Sequence, residues 1–371
     1  MVETRGQHRY DPDYTVPPGE VLEEVLEARN MKKVDLAKRC GLSAKTVSQI
    51  LGGKAPISSE TAIQLERVLG VSARIWANLE TNYRLSQAKM MDVEQLGRHK
   101  DWLERFPVGE LVERKFIEDK GNDAEMVREL LNFFGVGSVA AWEQNVAQMQ
   151  VVFHHSPSVQ SSPEAVAAWL RIGEVCAEKI DCKPYEKVEF EKALAEIRKM
   201  TRKNPRAFEP RMKELCRQAG VALVFISGLP KTGISGAARW LSKDKALVML
   251  SLRYKADDHF WFSFFHEAGH ILLHSKKSIF LEAEEDEVFN NLEKQANEYA
   301  ADTLIPPGDY ESLVVGVVEN RCCTIGSLQD FASRLRIAPG IVVGRLQHDG
   351  HVPWQSFNHL KRKFHLVENC D

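Results

Sequence analysis

The sequence predicts a multidomain protein with an all-α N-terminal domain, a helical middle region and an α+β C-terminal part. Short apolar helical patterns, separated by Gly and Pro, run from Pro18 to about Lys89, and helical spacing continues through residues 92–218. From Gly220 the pattern changes to strand-sized apolar runs, after which long helices return. A chain of 371 residues is long enough for two or three domains, each with its own core.

Composition and charge narrow the class of protein. A net charge of -3 excludes a uniformly basic nucleic-acid coat but permits a local basic patch. No apolar run approaches the ~20 residues of a membrane span, and the N-terminal region lacks the pattern of a secretory signal. Apart from the adjacent pair Cys322–Cys323, the seven cysteines are scattered, which suits a reducing compartment. We therefore expect a cytoplasmic protein with no membrane partner.

The segment 20–69 has the spacing of a small helical DNA-binding unit. Gly41 provides a tight turn between the second and third helices, and Ser43 is a favourable N-cap for the third. The inward-facing apolar residues of that third helix are Val47, Ile50 and Leu51. Small and amide side chains remain on its outer face, as base reading in a major groove requires. We predict DNA contacts from Ser43, Ala44, Lys45, Thr46, Ser48, Gln49 and Lys54.

The charge distribution supports this prediction. Residues 29–54 carry seven basic side chains against one acidic side chain, a local charge of +6, whereas residues 1–28 carry a charge of -5. A basic patch beside the turn and third helix is the electrostatic pattern of phosphate contacts. Two alternatives stay open at this point: a solvated bundle without a nucleic-acid partner, and a domain that docks protein.

The run from Leu36 to Lys54, followed by Pro56-Ile57-Ser58, resembles the Cro/phage-repressor (XRE) helix-turn-helix family, and within it the antitoxin-type repressors. The resemblance implies a homodimer that binds pseudo-palindromic, double-stranded operator DNA. It also implies a toxin as a partner of such a repressor.

The clearest chemical motif is His266-Glu267-Ala268-Gly269-His270. Histidines four positions apart on a helix differ by about 40° in direction, so both imidazoles can reach one zinc ion. Glu267 lies between them, offset toward the open side of the metal, where a carboxylate can act as general base. Catalytic zinc also needs a third protein ligand.

Three acids on the following predicted helix compete for the role of third ligand: Glu293, Glu298 and Asp302. They point in different directions around the helix, so only one can face the zinc. We favour Glu293, because it shares its face with small residues that allow a close helix–helix approach. Asn297, one turn later, is expected to accept a hydrogen bond from a ligand histidine and fix its tautomer.

The block that contains these residues resembles the ImmA/IrrE family of zinc peptidases, with thermolysin-like (gluzincin) ligand geometry. The matching stretches are Gly236-Ala237, Leu250-Ser251, Phe264 to His274 and Glu293 to Pro306. The resemblance implies Zn²⁺ held by His266, His270 and Glu293, with Glu267 as general base. It implies cleavage or inactivation of a repressor protein, and the fusion of both modules in one chain leaves the substrate open.

From these patterns we divide the chain into five parts: a flexible lead-in (1–17), a helix-turn-helix domain (18–90), a helical connecting region (91–218), an ImmA/IrrE-like peptidase domain (219–310), and a C-terminal helical extension and tail (311–371).

The leading hypothesis is a DNA-binding regulator whose zinc-dependent endopeptidase domain cleaves a protein, either a repressor or the chain itself. The alternative is a non-catalytic regulator in which the zinc domain is a sensor or a protein-binding module.

Several other residues are weaker candidates for a functional role. His154–His155 make a poor metal pair, because adjacent side chains point apart. Arg239, Arg253, Tyr254 and His259 are candidates to stabilise an oxyanion, but their spacing does not choose among them. His274 is expected to lie beside the metal centre and not among its ligands. The basic run 359–365 is expected to be a solvated tail.

Overall fold

The computed structural model describes residues 16–145, 162–274, 286–319 and 323–365. The predicted lead-in, except for residues 16 and 17, lies outside these ranges, as do His154, His155 and Cys322. Among the described residues, no helix is both long enough and apolar enough to cross a membrane.

Helices dominate the described chain and are numbered here in order. The N-terminal helices are α1 (Pro18–Ala28), α2 (Lys33–Cys40), α3 (Ala44–Leu51), α4 (Ser59–Leu69), α5 (Ala73–Gly97), α6 (Lys100–Leu103), α7 (Val108–Glu113) and α8 (Asp123–Phe134), followed by helical residues 139–145. The later ones are α9 (Pro163–Glu178), α10 (Lys187–Arg198), α11 (Pro205–Gln218), α12 (Asp257–Leu273), α13 (Asp286–Leu304), α14 (Pro307–Leu313), α15 (Ile325–Leu335) and α16 (Pro339–His348). A π-helix spans Val314–Glu319, and a 3₁₀ turn spans Asn358–Leu360.

The contacts divide the chain into two compact units. The first contains the chain up to Lys100 together with Asn122–Glu125, and the second contains Asp101–Gly121 and everything from Met126 onward. The predicted class, a helical N-terminal domain with an α+β C-terminal part, is confirmed. The five finer boundaries remain a proposal.

In the first unit, the turn between α2 and α3 forms as the sequence predicts. Gly41 ends α2 with a φ of 69°, a left-handed conformation that favours glycine. The Ser43 hydroxyl then caps α3 by accepting a hydrogen bond from the Thr46 N–H at 3.0 Å. Val47 and Ile50 are buried, whereas Leu51 is only partly buried. The capped helix therefore presents its polar face to solvent.

A buried carboxylate fixes the segment that follows α3. Glu80 of α5 accepts a hydrogen bond from the Ile57 N–H at 3.0 Å and pairs with Arg84 at 2.8 Å. Because Glu80 is almost fully buried, these partners compensate the cost of burying its charge.

Gly19 permits the closest backbone approach in the first unit. A Cβ atom at this position would lie 2.4 Å from the Ile50 carbonyl oxygen and 2.6 Å from that of Leu51. We expect Gly19→Ala to destabilise the unit by about 1–3 kcal/mol, because rigid backbone must move apart. Calorimetric unfolding of the full chain measures this as a lower melting temperature for the corresponding transition.

Gly97→Ala is the matched control for Gly19→Ala. Gly97 is also helical, but its added Cβ would meet only Ala124 Cβ at 3.9 Å. Alanine is the better helix former by roughly 0.5–1 kcal/mol, so this variant should be neutral or slightly more stable. Equal destabilisation by both variants would contradict the close-approach argument.

The second unit contains a three-stranded mixed sheet in the order β1-β3-β2, formed by Val221–Phe225, Gly236–Ser242 and Lys245–Leu250 in chain order. The central strand β3 runs parallel to β1 and antiparallel to β2. Its residues are buried from Ala246 to Leu250, which explains the continuous apolar run in the sequence. In the register, Gly236 at the start of β2 pairs with Leu250.

Helices of the middle region share one core with this sheet. Phe190 of α10 and Met212 of α11 are fully buried in the same cluster as Val221 of β1 and Val248 of β3. This cluster also contains Trp261 of α12. Trp102, Trp142 and Trp169 are buried as well, whereas Trp240 is only partly buried.

The basic run 359–365 is not a solvated tail, and this expectation was wrong. The Lys361 ammonium pairs with Asp258 at 2.6 Å, and the Arg362 guanidinium pairs with Asp257 at 2.9 Å. Arg362 also donates to the main-chain carbonyls of residues 201–203. Two buried acids in the first turn of α12 require compensating cations, and only the tertiary fold shows that they come from more than 100 residues away.

Candidate functional site

Helix α12 carries the motif residues and is buried along most of its surface. Asp257 and Asp258 in its first turn are favourable at the positive end of the helix dipole. Phe264, Phe265 and Ala268 pack into the core. The helix is therefore held firmly, and His266 and His270 project from its remaining face.

The structure brings His266, His270 and Glu293 together. The Nε2 atoms of the two histidines are 3.0 Å apart. The Glu293 carboxylate oxygens lie 3.4 Å from Nε2 of His266 and 3.2 Å from Nε2 of His270. The three donor atoms all lie within 4.8 Å of one another. Among the described residues, this is the one such group of three His, Cys, Asp or Glu side chains.

The opposite nitrogens of both imidazoles have hydrogen-bond partners. Nδ1 of His266 is 3.0 Å from Oδ1 of Asn297, and Nδ1 of His270 is 3.0 Å from Nδ1 of His274. Donation from both Nδ1–H groups leaves each Nε2 with a lone pair directed at the same point. Asn297 thus contacts His266, and His274 contacts His270 without being one of the three donors.

This donor set fits a zinc ion. Two lone pairs and a carboxylate facing one another at 3.0 to 3.4 Å repel one another, and a proton or a metal cation held between them removes that repulsion. Donors on a tetrahedron with bonds of about 2.0–2.1 Å are separated by about 3.3 Å, close to the distances here. Two imidazoles and one carboxylate are a ligand set that catalytic zinc uses, with a further position left for water.

The electrostatics also favour positive charge at this point. The Glu293 carboxyl is partly desolvated, but its contacts with His266 and His270 hold its pKa below the ordinary value. Burial opposes ionisation of His266, yet Glu293, Glu267 and Asn297 together raise its pKa. Burial, together with the neighbouring His270, lowers the pKa of His274 to about 4, so this ring is neutral near pH 7.

Glu267 is buried beside the three donors. Burial raises its pKa, so this carboxylate holds a proton more readily than an ordinary glutamate. Gly236 at the start of β2 lies directly against it, because a Cβ there would be 2.7 Å from Glu267 Oε1. Gly236 belongs to a stretch that carries the family resemblance, but the sequence does not indicate its contact with Glu267. Only the packing of β2 on α12 shows that a side chain is excluded here.

Small residues allow α13 to approach α12, as the sequence indicates. A Cβ on Gly269 would lie 3.3 Å from Cα of Ala296, and Ala296 is fully buried. The two competing acids, Glu298 and Asp302, are exposed and stay outside the group of three, and Glu298 lies 3.8 Å from Lys294.

The choice of Glu293 over Glu298 is directly testable. We expect Glu293→Ala to lose stoichiometric zinc, because two imidazoles alone leave the ion without its negatively charged ligand. Glu298→Ala, on the same helix and exposed, should keep it. Elemental analysis of dialysed protein measures both zinc contents, and full zinc retention in Glu293→Ala would refute the ligand assignment.

Helix α3 presents the predicted DNA contacts. Ser43, Ala44, Lys45, Ser48, Gln49 and Lys54 are exposed, and Thr46 is partly exposed. The Ser43 and Thr46 hydroxyls also contact each other at 2.8 Å, so both take part in capping the helix. The exposed face of α3 thus carries the small, amide and basic side chains that base and phosphate contacts use.

The four upstream candidates for oxyanion stabilisation lie in two different places in the structure. Arg239 is paired with Glu174. Arg253, Tyr254 and His259 instead lie together around one cleft.

Comparisons with known proteins agree with both modules. A family model described as helix-turn-helix matches residues 22–76, and one described as IrrE N-terminal-like domain matches residues 216–313. The uncharacterized HTH-type transcriptional regulator YddM of Escherichia coli (strain K12) is 35% identical over 82 residues, which are 22% of this chain and 87% of that protein. Virulence-associated protein I of Dichelobacter nodosus is 33% identical over 75 residues, or 20% of this chain and 69% of that protein.

Among solved structures, the Pseudomonas aeruginosa antitoxin HigA with the higBA promoter is 34% identical. It covers 22% of this chain and 90% of its own, with a TM-score of 0.22.

The fold and the two sites define a class of protein: a helix-turn-helix regulator joined to an IrrE-like domain of the peptidase type. The chain belongs to the XRE-type helix-turn-helix family, as its similarity to the regulator YddM shows, and it carries an IrrE-like domain in its C-terminal half. Both resemblances stated from the sequence are confirmed.

Proposed function

We propose that this protein is an operator-binding regulator whose IrrE-like domain is a zinc-dependent endopeptidase acting on a protein substrate. The observation that carries the proposal is the meeting of His266, His270 and Glu293 within 4.8 Å, next to the buried Glu267. Glu267 is a second carboxylate that is not one of the three ligands, and this additional acid favours catalysis over metal binding alone.

Each side chain of the centre has a distinct role in the proposed reaction. His266, His270 and Glu293 would hold the zinc ion. A bound zinc ion would supply polarisation of a peptide carbonyl and a lowered pKa of a water molecule. Glu267 takes up the proton of the attacking water and then passes it to the departing amine. Burial raises the pKa of Glu267 above that of an ordinary glutamate, which favours uptake of a proton.

The DNA half of the proposal rests on the capped, exposed helix α3 and on the +6 charge of residues 29–54. We propose that α3 reads a pseudo-palindromic operator as part of a homodimer, with a toxin as an additional partner. A helix-turn-helix repressor, or this chain itself, is the protein substrate that best suits the fusion of the two modules.

The test of the proposed function uses the full chain with its zinc content measured beforehand. Zinc-loaded and chelator-stripped protein are each incubated alone and with candidate helix-turn-helix repressors, and products are detected by intact mass. We expect new fragments with the zinc-loaded protein only, and their return when zinc is restored. Identical masses throughout would favour the non-catalytic alternative.

A further inference from the structure

A cleft lies at the N-terminal end of α12, lined by the loop between β3 and α12 and by the first turns of α12. Its volume is about 240 Å³, including the part open to solvent. Leu250 and Phe260 form apolar walls, and the polar residues around it are Ser235, Arg253, Tyr254, Lys255, His259 and Ser263. We refer to it as the Arg253 cleft.

The Arg253 cleft lies on the same face of α12 as the metal centre. By helical geometry, His259, Ser263, His266 and His270 fall within about 60° of one another. His259 and His266 are seven positions apart, which is a rise of about 10 Å along the helix. An extended peptide spans about 3.3 Å per residue, so a chain bound at the centre reaches the cleft after about three residues.

A second element connects the cleft with the centre. Ser235 lines the cleft, and the next residue, Gly236, lies against the Glu267 carboxylate. The same stretch of backbone therefore borders both places. A substrate that follows it passes Glu267 and the cleft in turn.

The charge of the cleft indicates what it accepts. Arg253 and Lys255 are exposed cations, and none of the described residues that line the cleft is acidic. The two acids in the first turn of α12 are buried and paired with Arg362 and Lys361, so they do not neutralise these cations. Burial lowers the pKa of His259, which disfavours its charged form. The cleft thus offers positive charge and hydroxyl donors to an incoming side chain.

Arg253 is held in place and does not move freely. Its guanidinium donates to the Gly233 carbonyl and lies 5.0 Å from the Tyr254 ring centre. The Tyr254 ring in turn stacks on His259, with 4.4 Å between ring centres. Two non-glycine residues of the loop, Leu252 and Lys255, adopt left-handed φ angles of 52° and 53°. Such strain is common where a loop is shaped to hold a ligand.

We propose that the Arg253 cleft is a specificity subsite that takes an acidic side chain, Asp or Glu, two or three residues from the scissile peptide bond. A carboxylate matches the two cations and the hydroxyls in charge and in hydrogen bonding. The inference rests on the proposed peptidase function and deepens it, because it assigns a chemical class to one substrate position.

The probe is a set of fluorescein-labelled decapeptides in an Ala-Leu-Ser background. A single Glu is moved one position at a time, and each peptide has a twin with Gln at that position. Cleavage by the zinc-loaded full chain is measured by mass spectrometry. We expect one position, two or three residues from the cleaved bond, at which Glu raises kcat/KM about tenfold over Gln.

The preference should depend on the cleft. Arg253→Ala should bring the Glu-to-Gln ratio close to one, and Arg253→Glu should reverse it in favour of a Lys-containing peptide. Lys192→Ala removes an exposed cation on α10, outside the cleft, and should leave rate and preference unchanged. A ratio that survives both Arg253 substitutions, or a preference for neutral residues, overturns the assignment.

A binding measurement separates this inference from the proposed function. Fluorescence anisotropy with the zinc-loaded Glu267→Gln variant reports peptide affinity without turnover. Tighter binding of the Glu peptide, lost on adding Arg253→Ala, supports the subsite even if the native chain cleaves nothing. Equal binding of the Glu and Gln twins overturns the subsite even if the native chain is an active peptidase.

Discussion

Glu267→Gln is expected to slow peptide cleavage by about 10²–10⁴-fold while the zinc content stays unchanged. The amide has nearly the same shape as the carboxylate, so the packing against Gly236 is preserved. It cannot take up a proton near neutral pH, so the attacking water and the departing amine lose their proton carrier. Because Glu267 is not one of the three donors within 4.8 Å, its substitution does not remove a ligand.

The measurement pairs fragment formation, followed by intact mass, with elemental analysis of the same sample. Glu298→Gln is the matched control, since it makes the same chemical change on an exposed residue of α13 and should keep the native rate. Cleavage by Glu267→Gln at the native rate, with contaminating protease excluded, would remove the general base from the mechanism. Loss of zinc in that variant would show that Glu267 supports the metal.

The second large effect is expected at helix α3. Gln49 is exposed on the face that we propose reads bases, and an amide makes bidentate contacts to adenine. Gln49→Ala should weaken binding to the chain's own promoter by roughly 10- to 100-fold, equivalent to about 1–3 kcal/mol, with little change on unrelated DNA. Titration of both DNAs by fluorescence anisotropy measures the loss of discrimination.

A basic residue nearby should behave differently. Lys45→Ala, also on α3, should weaken binding to the chain's own promoter and to unrelated DNA alike. It should also reduce the slope of log K against log salt by about one. Lys89→Ala on α5, outside the basic segment 29–54, is the control and should change neither quantity. Salt-independent binding, or equal effects of all three substitutions, would count against a DNA-reading α3.

Much of the geometry of the candidate metal site was predictable because it depends on local structure. The spacing of His266 and His270 fixes their common direction as soon as the segment is helical, and α12 is helical from Asp257 to Leu273. The small residues after Glu293 indicated a close helix pair, and Gly269 packs on Ala296 as expected. The turn at Gly41 and the cap at Ser43 followed from residue preferences alone.

Other features were not predictable, because they join segments that are far apart in the chain. Nothing in the run 359–365 shows that Lys361 and Arg362 neutralise Asp257 and Asp258, and the charge pattern alone indicated a solvated tail. The middle helices α10 and α11 were interpreted as a connecting region, although Phe190 and Met212 share the core of the sheet. Helical periodicity shows which face is apolar, but not what will cover it.

The amino-acid sequence by itself determined the two modules, the helix that carries the histidine pair, the three strands and the basic patch around α3. These features follow from the period of apolar residues, from caps and turns, and from charge, all of which act over a few neighbouring positions. The tertiary structure decided which acid joins the two imidazoles. It also decided that position 236 has no room for a side chain beside Glu267, and that Arg253, Tyr254 and His259 lie around one cleft. Those outcomes depend on how helices and strands pack, and packing is set by the shape of the whole core.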